Sequence, residues 1–570
     1  MEQKDRPMAT VAQSYLRLLS QRGVDYLFAN AGTDFASIIE AYSTLGKEGV
    51  PTPVTVPHEN VAIHMAMGYW LVSRRMQAVM VHVNVGTANA VCGVLNAAKC
   101  HIPVLFTAGR TPITERGEVG SRNIHIHWTQ EMFDQASMVR EAVKWEYELR
   151  MPSQVASVVD RAISIANSAP KGPVYLTLPR EVLATEVEDV ETFPAPRHGV
   201  ALPCGANPSA VKQMADLFRQ AKAPVIVTTA MALEDGADEV LAQFALQFAV
   251  PVVEFVPRCA NIPSAHPMHA GYDPGPWLKQ ADLVLVLDSA VPWIPERTDV
   301  SHARVVQVGV DPIHSGIPMR SFECDLAVAS SPAAALQALA DELAAYRSQS
   351  AGEIEARRQR VERRIADAKA SQLALVESVK DQVPIHPAWF SHCINKAKGD
   401  DAIVVKEAPQ LSLALQEFDR PSSLLHAGAA GGLGWGLGVA LGAKLAAPDQ
   451  LVIAVEGDGS YMFCTPVSAH YVALEQDTPF LTVIFNNQRW NEVRAATRHV
   501  YPDGVAARQG AYEPLTHFHP SLQLHKVVEA AGGYGERVTD PRELPAALER
   551  AIAMVKNERR QVVLDVICAS

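Results

Sequence analysis

The chain has 570 residues, of which 48% are hydrophobic, and its formal net charge is −12. This length predicts about three domains, and the acidic balance disfavours nucleic acid or an anionic membrane as a partner. Its eight cysteines are scattered and form no Cys-x-x-Cys pair, which argues against a zinc site and a disulfide framework. No apolar run reaches the roughly 18 residues that span a bilayer, and residues 1–7 are too polar for a signal peptide. We therefore expect a cytoplasmic globular protein.

In the first third of the chain, short runs typical of β-strands alternate with helical stretches. The strand-like runs are residues 26–29, 78–83, 104–108 and 174–178. Such alternation predicts crossover connections and a parallel sheet. We place a first domain at residues 1–190, and we interpret the proline- and acid-rich stretch at 186–203 as a linker.

The rest of the chain repeats this pattern twice. We place a second domain at residues 204–345 and a third at residues 383–570. Their strand-like runs are, in order, 225–228, 252–255, 283–287, 305–310, 403–405, 451–455, 480–485 and 562–566. Residues 346–382 are charged and helix-prone, which predicts a helical linker on the surface. The sequence thus predicts an α/β protein of three domains, each with a mainly parallel sheet flanked by helices.

Two apolar runs of the third domain end in polar residues. Residues 451–455 lead into Gly457-Asp458-Gly459-Ser460, and residues 480–485 lead into Asn486-Asn487. If both runs are parallel strands, these residues reach the same carboxyl edge of a sheet, where α/β proteins bind ligands. The carboxylate of Asp458 and the amide oxygen of Asn487 suit Mg²⁺, and the glycines let the backbone approach a phosphate closely. Gly-Asp-Gly is also a common turn, so the motif alone leaves both interpretations open.

An early motif, Val56-Pro57-His58-Glu59, follows an extended segment at residues 53–56 and opens a helical pattern at residues 62–70. A carboxyl group in an apolar pocket has a raised pKa and can share a proton with a ring nitrogen of a bound cofactor. A glutamate at this place can also simply cap a helix N-terminus. The motif by itself leaves both roles open for Glu59.

The order and separation of the two motifs resemble those of thiamine-diphosphate enzymes. In that family an early glutamate faces the cofactor's aminopyrimidine, and a late Gly-Asp-Gly…Asn-Asn motif binds the diphosphate through a metal ion. The resemblance implies pyrimidine-binding, middle and diphosphate-binding domains, thiamine diphosphate and Mg²⁺ as cofactors, and Glu59 as a catalytic acid. The implied metal ligands are Asp458, Asn487 and the backbone carbonyl of Arg489. The implied cofactor-binding residues of the two motifs are Glu59, Gly457, Asp458, Gly459, Ser460 and Asn487.

A glycine-dense segment, residues 431–438, precedes the metal motif and suggests a backbone packed tightly against something flat. In the thiamine-diphosphate enzymes that it resembles, the residue at Leu433 supports the bent cofactor, and a neighbouring backbone carbonyl bonds the cofactor's amino group. We therefore include Gly431 and Leu433 among the expected cofactor-binding residues. For the later glycines, Gly436, Gly438 and Gly442, close packing of a helix on a sheet explains the pattern equally well.

Three further segments resemble benzoylformate decarboxylase, one branch of this family. The loop Ala31-Gly32-Thr33 places Thr33 at the serine that contacts the substrate carboxylate. Residues 81–90 place His82 at a catalytic histidine, and residues 257–267 place His266 at a second one, with a length difference of one residue. We assign only structural roles to His125, His127 and His470, since no Glu or third His accompanies them at metal-ligand spacing.

This branch implies non-oxidative decarboxylation of a 2-oxo acid, with His82 or His266 as acid or base and Thr33 holding the carboxylate. Capture of a second carbonyl compound would make the same enzyme a carboligase. Because family sites lie between two subunits, we expect a homodimer at minimum and a homotetramer as the assembly, with a small-molecule 2-oxo acid as the substrate.

An acetolactate-synthase-like carboligase is the main alternative, since residues 124–139 resemble that enzyme. Residues 488–496, however, lack its Gly-Met-Val and Gln-Trp-Gln, and the second domain lacks the Arg-Phe-Asp-Asp-Arg pattern associated with its FAD. A lyase acting on another 2-hydroxy or 2-oxo substrate and a non-catalytic paralogue are the remaining alternatives.

Overall fold

The computed structural model describes residues 8–510 and 513–570. These residues form two compact units. The first contains the chain up to Ala201, Ala427–Glu536 and Ala553–Asp565, and the second contains Leu202–His426, Arg537–Ile552 and Val566–Ser570. None of the described helices is long and apolar enough to cross a membrane.

Up to Ala201, strands and helices alternate along the chain. The strands are β1 Met8–Thr10, β2 Tyr26–Asn30, β3 Thr52–Thr55, β4 Ala78–Val81, β5 Leu105–Arg110, β6 Glu146–Glu148, β7 Val174–Pro179 and β8 Glu186–Glu188. The helices are α1 Val11–Gln21, α2 Ala36–Leu45, α3 Glu59–Ser73, α4 Val83–Lys99, α5 Ile126–Thr129, α6 Val155–Asn167 and α7 Arg180–Ala184.

Six of these strands form a parallel sheet in the order β3-β2-β4-β5-β7-β6. One face of the sheet packs against α1 and α6 through apolar side chains that include Leu16, Val159 and Leu176. The two remaining strands, β1 and β8, pair antiparallel. The stretch at 186–203, which we interpreted as a linker, therefore begins with a strand, because its residues 186–188 find backbone partners in β1.

The second unit contains a five-stranded parallel sheet in the order β10-β9-β11-β12-β13. The strands are β9 Pro224–Thr228, β10 Val252–Glu254, β11 Leu283–Leu287, β12 Arg304–Gly309 and β13 Leu326–Ala329, followed by the parallel pair β14 Ile403–Lys406 and β15 Leu424–Leu425. The helices are α8 Pro208–Gln220, α9 Ala237–Phe248, α10 Gly275–Leu278, α11 Pro332–Glu342, α12 Ala344–Gln349, α13 Ala351–Val379 and α14 Pro387–Lys398.

The long helix α13 fills most of the predicted helical linker at residues 346–382. Its first turns pack onto the core of the second unit through Ile354 and Val361. The buried guanidinium of Arg357 donates a 2.8 Å hydrogen bond from Nη2 to the carbonyl oxygen of Phe248. This surface helix is therefore fixed to the core of the second unit by its few buried residues.

The last part of the chain supplies a third sheet, in which β16, β17, β19 and β18 are neighbours in that order. Its elements are α15 Gly436–Ala446, β16 Val452–Gly457, α16 Asp458–Phe463, α17 Pro466–Glu475, β17 Leu481–Asn486, α18 Asn491–Val500, α19 Val505–Gln509, β18 Tyr534–Val538, α20 Leu544–Asn557 and β19 Val562–Ile567. The strands β16 and β17 pair in parallel, as their apolar runs predicted. Three mainly parallel sheets flanked by helices confirm the predicted α/β class, whereas the domain boundaries stay predictions.

Helices α3 and α15 pack backbone to backbone within the first unit. A Cβ on Gly442 would lie 2.0 Å from the carbonyl oxygen of Met65, and a Cβ on Gly68 would lie 2.1 Å from that of Val439. Real Cβ atoms are not found at such distances, so only glycine permits this crossing. Gly442 thus serves close packing against a helix, rather than against a sheet or a cofactor.

We expect Gly442→Ala to destabilise the protein by about 1–3 kcal/mol, the usual cost of overpacking a filled interior. The matched control is Gly352→Ala in α13, where an added Cβ meets nothing within 4 Å. That control should be unchanged or slightly more stable, since alanine favours a helix over glycine. Thermal unfolding of both variants measures the difference, and a Gly442→Ala protein as stable as the wild type would contradict the packing argument.

Candidate active site

Four strands of the first sheet end at one edge and bring polar side chains together there. Thr33 and Asp34 follow β2, His82 follows β4, Arg110 ends β5, and Arg180 follows β7. The carboxyl edge of a parallel sheet is where α/β proteins bind ligands. The small cleft at this edge is lined by Thr33, Asp34, His82, Val83, Arg110, Thr111, Pro112, His127, Gln130 and Arg180.

The closest polar contact in this cleft joins His82 and Asp34. Nδ1 of His82 lies 2.5 Å from Oδ1 of Asp34, whose side chain is only 3% exposed. The other carboxylate oxygen accepts a hydrogen bond of 3.2 Å from the backbone N–H of Val83. The hydrogen bond to Asp34 raises the pKa of His82, and burial opposes it. The charged imidazolium is therefore favoured at this position.

Thr33 and His127 meet on the other side of the cleft. Oγ1 of Thr33 lies 3.5 Å from Nε2 of His127, and Nδ1 of His127 accepts a hydrogen bond of 3.3 Å from the backbone of Asn123. Burial, followed by the charges of Arg180 and Arg122, lowers the pKa of His127. A neutral His127 that accepts at Nδ1 carries its proton on Nε2, which therefore faces Thr33.

Arg180 places a positive charge beneath the cleft. Its residue is only 7% exposed. Its guanidinium donates to the carbonyl oxygens of Gly120, Thr33 and Ser121 and to the amide oxygen of Asn123. Within the described part of the chain it has no acidic partner, so its charge favours an anion in the cleft.

Glu59 is buried at the start of α3, with 5% of its surface exposed. The preceding residue, His58, caps the helix, because its Nδ1 accepts a hydrogen bond of 3.2 Å from the backbone of Asn60. Glu59 instead accepts one of 3.1 Å from the side chain of Asn89 in α4. Its charge also contributes to the raised pKa of His82. The role of helix N-terminal cap, which the sequence left open for Glu59, is thus filled by His58.

The predicted metal ligands meet where β16 and β17 end. Asp458 begins α16, and its two carboxylate oxygens accept hydrogen bonds from the backbone N–H groups of Gly459 (2.8 Å) and Gln488 (2.6 Å). The amide oxygen of Asn487 accepts one of 3.1 Å from the backbone of Arg489. The carbonyl of Arg489 accepts one of 3.0 Å from Asn491, which leaves its second lone pair.

The Asp458 carboxyl group fits a cation. It is 5% exposed, and burial raises its pKa to about 6 against the opposing backbone hydrogen bonds. Among the described residues it has no ion-pair partner, and a buried carboxylate without one is unfavourable. The donors gathered here are carboxylate, amide and carbonyl oxygens, which are the ligands Mg²⁺ prefers.

The three remaining residues of this motif, Gly457, Gly459 and Ser460, lie at the start of α16. The indole of Trp490 lies against Gly459, where an added Cβ would be 2.1 Å from the ring. The side chain at position 459 is therefore excluded by an aromatic ring. Gly457 directly precedes α16, where an added Cβ would meet the hydroxyl of the buried Ser460 at an ordinary contact distance of 3.5 Å.

The expected cofactor residues Gly431 and Leu433 lie in the loop that precedes α15. Gly431 has a φ of 75°, a left-handed conformation suited to glycine. The carbonyl oxygen of the intervening Gly432 accepts a hydrogen bond of 2.9 Å from the side chain of Asn96 in α4. This loop is therefore attached to the helix that begins directly after His82.

His266 lies in the second unit, and its role in a site stays a prediction. Its Nδ1 accepts a hydrogen bond of 3.1 Å from the backbone of Met268, and burial lowers its pKa. His470, to which we assigned a structural role, contacts the hydroxyl of Tyr461 and the amide of Gln561 at 2.8 Å each. His127 had received the same assignment, and the structure instead shows it lining the cleft.

The chain matches three parts of one family. Residues 9–138 match the thiamine pyrophosphate enzyme N-terminal TPP binding domain, residues 211–339 the central domain, and residues 409–566 the C-terminal TPP binding domain. The chain belongs to the thiamine pyrophosphate enzyme family, as its two motifs predicted.

Its relatives within the family are distant and span several activities. The acetolactate synthase isozyme 3 large subunit of Escherichia coli (strain K12) is 24% identical over 97% of this chain and 94% of that subunit. The sulfoacetaldehyde acetyltransferase of Castellaniella defragrans is 24% identical over 98% of this chain and 93% of that enzyme. The solved structure of a Rhodococcus jostii RHA1 4-hydroxybenzoylformate decarboxylase is 22% identical, with a TM-score of 0.77 over 98% of this chain and 99% of that one. That structure shares the fold.

Proposed function

We propose that this protein is a thiamine-diphosphate- and Mg²⁺-dependent lyase that decarboxylates a 2-oxo acid without oxidation. The observation that carries the proposal is the cleft in which His82, paired with Asp34, lies at the same sheet edge as Thr33. An imidazole with a raised pKa is suited to giving a proton to a substrate. Thr33 is exposed at this edge and offers a hydroxyl beside it.

Thiamine diphosphate, when bound, supplies the nucleophile and the electron sink of 2-oxo acid chemistry. Asp458 and Asn487, with the carbonyl of Arg489, would hold the metal ion that anchors its diphosphate. Glu59 would exchange a proton with the pyrimidine ring through its carboxyl group. Gly431 and Leu433 would lie beside that ring.

The substrate would bind through its carboxylate and receive a proton later. The hydroxyl of Thr33 would donate a hydrogen bond to the carboxylate, and the charge of Arg180, which has no acidic partner among the described residues, favours an anion there. His82 would then donate the proton that completes an aldehyde product, with His266 as a second acid or base. The family arrangement that this proposal follows places each site between two subunits, so we propose a homodimer at minimum and a homotetramer as the assembly.

A carboligase is the second candidate, and it is favoured by the relatives. The acetolactate synthase subunit from Escherichia coli matches nearly the whole chain. The two functions differ in whether a proton or a second carbonyl compound captures the reacting carbon. Incubation with a panel of 2-oxo acids, Mg²⁺ and cofactor, with CO₂, aldehyde and hydroxyketone measured separately, distinguishes them.

We expect Asp458→Ala to weaken binding of thiamine diphosphate in the presence of Mg²⁺ at least tenfold, about 1.4 kcal/mol or more. The change removes the charged ligand that links the diphosphate to the protein through the metal. Asp477→Ala is the matched control, since its exposed carboxylate pairs with Arg559 and lies outside the motif. Cofactor titration followed calorimetrically should separate the two variants, and equal affinity in both would exclude Asp458 as a ligand.

We expect His82→Ala to lower turnover of an accepted 2-oxo acid by about 10²–10⁴, the usual effect of losing a positioned general acid. Exchange of the cofactor's C2 proton should stay near the wild-type rate, because that step depends on Glu59. His198→Ala, at an exposed position, is the control. Single-turnover kinetics with separate C2 exchange make the measurement. If His82→Ala retained most of its turnover, the carboligase candidate would move ahead.

A further inference from the structure

Asp34 fixes which nitrogen of His82 can exchange protons. An ionised carboxylate can only accept hydrogen bonds, so Nδ1 of His82, 2.5 Å away, must carry a hydrogen. The opposite nitrogen, Nε2, lies 3.2 Å from Nε2 of Gln130, which can donate to it. Gln130 lines the cleft, and its amide oxygen has no partner among the described residues. A rotation of that amide by half a turn would let it accept from a protonated Nε2 instead.

Two glycines leave room for this pair. A Cβ on Gly32 would lie 2.1 Å from Nδ1 of His82, and a Cβ on Gly109 would lie 1.7 Å from Oδ2 of Asp34. The carboxylate and the ring therefore fill spaces that any larger residue at positions 32 and 109 would occupy. The pair is therefore enclosed by the loop after β2 and by β5, the strands on either side of β4.

The backbone next to His82 is strained and is held by the same carboxylate. Val83 has a φ of 30°, in a region that β-branched residues rarely adopt. Its N–H donates to Oδ2 of Asp34 at 3.2 Å, and its carbonyl accepts from Oγ1 of Thr87 at 2.7 Å. Asp34 thus holds both the ring of His82 and the first peptide of α4.

We propose that Asp34 is the positioning residue of the acid–base centre, holding His82 with Nδ1 protonated and Nε2 directed at the substrate. This inference rests on the proposed function of His82 as proton donor. In the step, the proton leaves Nε2 for the reacting atom of the substrate, and the imidazolium becomes a neutral imidazole. Nδ1 keeps its proton, and Asp34 stays ionised throughout, as in the Asp–His pair of serine proteases. Nε2 then regains a proton from water before the next turnover.

Among the other charged groups around His82, some favour its imidazolium form and some disfavour it. Glu59 in α3 favours the imidazolium, as Asp34 does. Arg110 and Arg180 line the same cleft, and their positive charges disfavour it, whereas the lowered pKa of His127 favours its neutral form. Removal of Asp34 therefore leaves the cationic neighbours less opposed, so the pKa of His82 should fall. A purely structural Asp34 would instead leave that pKa where it is.

The test compares wild type with Asp34→Asn, which keeps the shape of the side chain and removes its charge. Asp160→Asn is the matched control, because the largely buried carboxylate of Asp160 pairs with Arg22 at 2.7 Å, away from the cleft. Deuterium exchange at the imidazole Cε1, followed by peptide mass spectrometry, reports the pKa of each histidine. The tryptic peptide at residues 76–99 contains His82 as its only histidine.

In the wild-type protein the pKa of His82 should lie above the ordinary value of about 6.5. It should fall in Asp34→Asn and stay unchanged in Asp160→Asn. The value of kcat for an accepted 2-oxo acid should fall at least about tenfold in Asp34→Asn, with little change in KM. Since His82 must be protonated to act as an acid, the decline of kcat at high pH should move to lower pH in the same variant.

An unchanged pKa of His82 in Asp34→Asn would overturn the inference. If that pKa fell while the high-pH decline of kcat did not move, Asp34 would still control the imidazole, and the role of His82 in the proposed function would fail instead. If Asp34→Asn did not fold, the wild-type measurement decides alone, because a pKa of His82 at or below the ordinary value contradicts the inference.

Discussion

The contact of α3 with α15 is the constraint on which the positions of Glu59 and of the Asp458 motif both depend. Gly68 and Gly442 let the two helices touch through their backbones. Helix α3 begins at Glu59, and α15 leads through β16 to Asp458. A larger residue at either glycine would separate the helices and shift the two elements that carry these carboxyl groups. The positions of these two carboxyl groups therefore depend on helix packing that lies away from the groups themselves.

Both clusters of polar residues follow from the same rule of sheet architecture. Parallel strands deliver the residues after them to one edge, so Asp34 meets His82 and Asp458 meets the Asn487 turn. The two buried carboxylates differ in the groups that stabilise their negative charge. Asp34 has the imidazole of His82, whereas Asp458 has only backbone N–H groups among the described residues. That contrast fits an acid–base centre at the first edge and a metal ion at the second.

Local patterns in the sequence predicted the fold class and the family, and both are confirmed. Apolar runs of four to six residues became β4, β5, β16 and β17 because burial on both faces of a parallel sheet requires them. The Gly-Asp-Gly and Asn-Asn motifs could indicate the family because each is a short pattern that is visible locally in the sequence. The site roles of Glu59, Asp458 and His82 remain predictions that the geometry supports.

What the sequence did not reveal depends on pairings between distant residues. Arg180 lies 147 residues from Thr33 along the chain and contacts its carbonyl, and no motif announces that contact. No sequence motif marks His127 as a cleft residue, because its partner, Thr33, follows a different strand. Asp34 stands directly beside Thr33, yet its importance appears only when β2 and β4 become neighbours. Residues 186–188 were interpreted as linker because their partners in β1 lie 176 to 180 residues earlier in the chain.

The central claim is that Glu59 is the acid that activates bound thiamine diphosphate. Its most direct test is proton–deuterium exchange at C2 of the cofactor bound to the wild type, to Glu59→Gln and to a control, Glu181→Gln. Glu181 is a similarly buried glutamate that accepts hydrogen bonds from Thr114. Exchange should slow by about two orders of magnitude or more in Glu59→Gln alone. Exchange at the wild-type rate in that variant would contradict the account.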